Sequence, residues 1–175
     1  MLKLIAAVLV IAIVAVLGLA ATKPDTLRVQ RSTTIHAPPE KIYALVQDFH
    51  QWPQWSPYEK KDPAMKRTYS GADSGRGARY AWNGNKEVGS GSMEIVEANA
   101  PGKLGIKLDF LEPFEGHNTA EFTMTPRAEN TEVTWQMFGP NPLLGRVIQV
   151  FVNVDDMIGK DFEAGLANLK AVAEK

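Results

Sequence analysis

The chain has 175 residues, 45% of them apolar, with 19 Lys and Arg against 20 Asp and Glu and no cysteine. That composition excludes a polytopic membrane protein, a coiled coil and a disordered chain, and without a basic excess nucleic acid is not an expected partner. Disulfides, thiolate chemistry and cysteine zinc sites are excluded too, and His36, His50 and His117 show no metal-ligand spacing.

The average conceals two solvents. Nineteen of the first 21 residues are apolar, which leaves about 38% apolar content in the other 154. Leu4 to Ala21 is an unbroken run of 18 apolar or glycine residues behind Lys3. As a helix it would extend roughly 27 Å, close to the roughly 30 Å hydrocarbon thickness of a bilayer. Residues 1–22 therefore read as a transmembrane anchor and 23–25 as a linker, followed by one domain over 26–175. The alternative is a signal peptide cleaved after Ala20 or Ala21, which would leave the domain secreted or periplasmic. Lys3 on one flank nearly balances Lys23, Arg28 and Arg31 on the other. The reading adopted is a single-pass membrane protein with its soluble domain outside the cytoplasm.

Thr26–Ile35 alternates as a strand, with Leu27, Val29 and Ile35 opposite Arg28, Gln30, Ser32 and Thr34. Ala37-Pro38-Pro39-Glu40 opens a short helix, since proline suits a first turn and Glu40 complements the dipole. Trp52-Pro53-Gln54-Trp55-Ser56-Pro57 ends it. Six further strands follow at Met65–Ser70, Ala78–Asn83, Gly89–Ala98, Lys103–Phe110, His117–Pro126 and Thr131–Phe138. Short hairpin loops between them predict an antiparallel sheet with one face packed and one wetted. After Pro142 the period changes to three and four, through Val147, Phe151, Val154, Ile158, Phe162, Leu166, Leu169 and Val172. One continuous C-terminal helix is expected there. Gly145, Gly159 and Gly165 are costly in such a helix and point to close packing, or to room for something bound beneath it.

This order of elements resembles the helix-grip fold of the SRPBCC superfamily. It is most similar to the bacterial polyketide cyclase/dehydrase and lipid transport group. The stretches that carry the resemblance are Ile35–Tyr43, Phe49–Tyr58, Gly75–Trp82 and Gly159–Lys170. The resemblance spans about residues 26 to 175 and excludes the anchor. It implies an α+β fold in which a curved antiparallel sheet wraps around a long C-terminal helix, here preceded by one N-terminal transmembrane helix. It also implies a hydrophobic cavity, START-like in character, and brings neither a shared catalytic set nor a cofactor.

The candidate cavity residues are Trp52, Trp55, Tyr80, Trp82, Trp135 and Met157. Trp52 and Trp55 suit the mouth of a cavity or a corner packed on the sheet edge. Tyr80, Trp82 and Trp135 suit ligand stacking or ordinary core packing. Asp155, Asp156, Asp161 and Glu163 share the last helix and read as a solvated face. Three functions stay open. The first is a membrane-anchored, non-catalytic module for a small hydrophobic ligand, lipid or polyketide-like. The second is a polyketide cyclase or dehydratase-type enzyme with Glu94, Asp109 or His117 moving a proton. The third is a protein-interaction domain using the exposed sheet face.

Overall fold

The computed structural model describes residues 1–175. Helix α1 (Leu2–Ala21) precedes strand β1 (Thr26–Ile35), helix α2 (Pro39–Val46), a 3-10 turn (Phe49–Gln54) and the short helix α3 (Pro57–Lys61). Six strands follow: β2 (Lys66–Gly71), β3 (Ala78–Asn83), β4 (Ser90–Asn99), β5 (Lys103–Glu112), β6 (Gly116–Arg127) and β7 (Asn130–Pro140). Helices α4 (Leu143–Phe151) and α5 (Val154–Ala173) end the chain. Pro39 and Pro57 each sit in a helical first turn, where a missing N–H costs nothing.

All seven strands join one antiparallel sheet in the order β1-β7-β6-β5-β4-β3-β2. Consecutive strands from β2 to β7 are neighbours, and β1 closes the far edge against β7, pairing Thr26 with Pro140 and Ile35 with Thr131. Register shifts at Ser90/Gly91 and Ile95/Glu97 bend β4, as bulges do. At Gly91 a Cβ would lie 2.6 Å from the Trp82 ring, so glycine lets that indole cross β4 closely.

The concave face carries the core. Trp55, Phe49, Phe122, Ile35, Ile106 and Leu169 are all fully enclosed. Trp135 stacks on Phe122 at 5.0 Å and on Phe162 of α5 at 4.1 Å, which fastens the helix to the sheet. Gly165 makes this approach possible, since a Cβ there would meet the Trp135 ring at 2.7 Å and Pro57 at 3.0 Å. Thus the expectation of close packing holds at Gly165. It holds equally at Gly159, where the Arg31 guanidinium fills the place of a Cβ.

Two expectations require correction. The C-terminal segment is not one helix: Val152 and Asn153 break it, and the Asn153 side chain caps α5 by accepting from the Asp156 N–H at 3.2 Å. Helix α4 leaves the sheet and packs against α1 instead, whose Ala20 is buried. Nor is the acidic face of α5 simply solvated. Asp155 and Glu163 hold Arg31 at 2.9 and 2.7 Å, and Asp161 binds Lys61 of α3 at 2.6 Å.

Candidate functional site: a cavity under the C-terminal helix

Between the concave sheet face, α3 and the first half of α5 lies a cavity of about 310 Å³, and 15 of its 21 lining residues are hydrophobic. Its depth is set by alternation. Met93 on β4, Leu108 on β5, Ala120 on β6 and Met137 on β7 all point inward from adjacent strands. Phe162 and Ile158 of α5 close it from the other side.

Of the six residues singled out from sequence, Trp52, Tyr80, Trp82, Trp135 and Met157 border this space. Trp55 does not. It is fully buried beside Phe122 and Trp135, and its indole N–H donates to the Leu45 carbonyl at 3.2 Å, pinning the corner after α2. Trp52 does similar work, donating to the Val46 carbonyl at 3.0 Å while its ring faces the cavity. Trp82 donates to the Val88 carbonyl at 3.0 Å. Trp135 differs from the other three: its Nε1 is buried without an acceptor.

The polar part of the wall was not evident in the sequence. Glu59, only 7% exposed, accepts from the Tyr80 hydroxyl at 2.6 Å and from Arg67 Nε at 2.5 Å. Both carboxylate oxygens are thus engaged, which is how a buried charge is tolerated. Burial, then the bond to Glu59, pushes the Tyr80 phenol far above its ordinary range, so its proton stays in place. Nearer the opening, burial and then the charge of Asp161 raise the Tyr58 phenol. Lys61 lies 5.4 Å from the Tyr58 ring and completes the rim with Asp161.

The three proton-transfer candidates lie elsewhere. Glu94 pairs with Arg79 at 3.2 Å on the convex face. Asp109 sits there as well, between His117 and Lys107, each at 2.7 Å, and none of the three borders the cavity. The strand alternation explains it: on β5, Leu108 and Phe110 point inward, so Asp109 points out.

The family described as polyketide cyclase / dehydrase and lipid transport matches residues 26–174, the whole of the domain behind α1. The chain belongs to that family. The superfamily resemblance drawn from the sequence therefore holds, and the family's fold is one that binds hydrophobic ligands. No curated protein matches the chain in sequence. Solved structures share this fold at low identity. Protein Ms6760 from Mycobacterium smegmatis is 21% identical with a TM-score of 0.60, covering 86% of this chain and 92% of its own. Protein CV1439 from Chromobacterium violaceum is 15% identical with a TM-score of 0.60, covering 87% and 99%. The di-domain ARO/CYC BexL from the BE-7585A biosynthetic pathway is 14% identical with a TM-score of 0.62, covering 90% of this chain and 53% of its own. Ahead of the family domain, α1 is long and apolar enough to cross a membrane or to act as a signal sequence.

Proposed function

We propose that this protein is a membrane-anchored module that binds a small hydrophobic molecule, lipid or polyketide-like, without transforming it. The cavity of about 310 Å³ is the observation that carries this reading. Its walls are mostly apolar, so affinity comes from removing ligand surface from water, at about 25 cal/mol per Å² before ordering costs. The buried Trp135 N–H, which has no acceptor in the protein, fits a ligand with a carbonyl or ether oxygen beside its apolar body. Helix α1 would hold the cavity at the bilayer, where such molecules partition, with the domain on the outer side.

Native mass spectrometry of the full chain released from detergent micelles tests the proposal. The expected result is a protein mass carrying a hydrophobic adduct, which organic solvent extracts intact. A bare mass, together with no saturable binding of a fluorescent acyl-chain probe, would overturn it.

One observation favours a second reading, a cyclase or dehydratase: Glu59, Tyr80 and Arg67 place a hydrogen-bonded acid and phenol in the cavity wall. There Glu59 would accept a substrate proton, and the Tyr80 hydroxyl would turn from Glu59 to donate to the developing enolate. Glu59→Gln separates the two readings. An enzyme loses turnover of a poly-β-carbonyl thioester in this variant but keeps binding it; a binding module shows no turnover in either form.

A further inference from the structure

Beyond residue 21, eight large apolar side chains are well exposed, and seven of them share one end of the sheet. Helix α4 contributes Leu143, Leu144 and Phe151, and Val152 follows at its end. The end of β5 adds Leu111 and the β5–β6 turn adds Phe114, which are 61% and 60% exposed, and α5 adds Met157. Only Val96 lies elsewhere. Soluble domains scatter such residues; a cluster marks a surface that is covered in use.

The same end carries the anchor. β1 leaves α1 through the four residues Thr22–Asp25, too short to carry the domain more than about 14 Å away. The linker is also tied down. The Asn141 N–H donates to the Asp25 carbonyl at 2.7 Å, and the buried Asn141 amide donates to the Pro24 carbonyl at 2.8 Å. Helix α4 packs on α1, and the only α1 side chains not fully exposed, Val16 and Ala20, lie in its last two turns, which puts α4 at the depth of a bilayer's polar–apolar boundary. Its only polar side chains are Arg146 and Gln149. The exposed lining residues of the cavity, Met157, Glu87 and Pro113, mark its mouth at this end.

We infer that α4, the β5–β6 turn and the start of α5 form a second contact with the bilayer that holds α1, setting the mouth of the cavity on the membrane surface. This rests on reading α1 as embedded. The occupant is a lipid leaflet because the apolar patch is continuous with the anchor through the α1–α4 contact. A ligand then moves between leaflet and cavity without crossing bulk water.

The chain has no cysteine, so single cysteines can report the depth of each element. Leu144→Cys, Phe151→Cys and Phe114→Cys probe the surface, Leu9→Cys probes α1, and Glu129→Cys probes the β6–β7 turn at the opposite end. Each full-length variant carries an environment-sensitive fluorophore in phosphatidylcholine–phosphatidylglycerol vesicles, with and without brominated acyl chains. The expected result is a blue shift and bromine quenching at 144, 151, 114 and 9, and neither effect at 129. If 9 is quenched while 144, 151 and 114 behave like 129, the anchor stands and the second contact is refuted. If 9 is also unquenched, the embedding of α1 fails and the inference falls with it.

Discussion

Ala120 offers a direct test of what the cavity is for. Its methyl group projects into the space from β6 and is 5% exposed. Ala120→Leu adds three carbons where a ligand would place three methylenes. At about 0.8 kcal/mol per buried methylene, the displaced contacts amount to roughly 2.4 kcal/mol, or about a 50-fold weaker Kd. The folded protein should hold its stability, because the new side chain enters existing space instead of a packed layer. Titration of a fluorescent acyl-chain probe measures the first quantity, and thermal unfolding in the same micelles measures the second. An unchanged Kd with unchanged Tm would refute the cavity as the binding site. A Tm loss would show that Ala120 has no free space in front of it, which contradicts the cavity itself. Met157→Trp at the mouth then reports independently, by slowing probe entry.

Three further outcomes follow from the packing and the charges. Gly165→Ala should destabilise the domain by about 1–3 kcal/mol, since the overlap with Trp135 and Pro57 outweighs the gain in helix propensity of about 1 kcal/mol; a rise in urea midpoint would contradict the close packing. Tyr80→Phe leaves one oxygen of the buried Glu59 carboxylate without its donor, and urea unfolding should register a loss of about 1–3 kcal/mol. Bonds from Lys107, then from His117, hold the Asp109 carboxyl below its ordinary range against a smaller opposing effect of burial. The native state therefore binds fewer protons than the unfolded chain in acid. The stabilisation from Asp109 is complete above the ordinary carboxylate pKa and is lost between about pH 5 and pH 2. Asp109→Asn should flatten the stability slope in that window, read from urea unfolding across the acid range.

The sheet was legible because each strand alternates. Leu104, Ile106, Leu108 and Phe110 face inward and Lys107 and Asp109 outward, and the three strands Thr26–Ile35, Ala78–Asn83 and Lys103 onward begin where the pattern begins. The break between α4 and α5 was hidden because Val147, Phe151, Val154 and Ile158 keep helical spacing across it. Only Asn153 signals it locally, as an N-cap. Tyr80, Trp82 and Trp135 are legible as inward-facing because apolar side chains at alternate strand positions form a pattern. Trp55 stays open in the sequence between a cavity mouth and a packed corner, because spacing does not distinguish a ring that lines a space from one that fills it. Glu59 escaped notice for a different reason. Its helix has five residues and no period to read, and its partners Arg67 and Tyr80 are 8 and 21 positions away, joined only by the bend of β2 and β3 over α3.

The pairing of β1 with β7 also governs when the domain can form. β1 is the first strand to emerge, and its partner, which begins at Asn130, is the last. During synthesis the other six strands can zip together in sequence by local hairpins, which form quickly. β1 must wait with its edge unpaired until more than a hundred further residues have been made. Closure is thus a late, long-range step, the kind that topology makes slow. Its polar side chains Arg28, Gln30, Ser32 and Thr34 keep one face of that waiting strand soluble, which protects the nascent chain from pairing with the wrong edge.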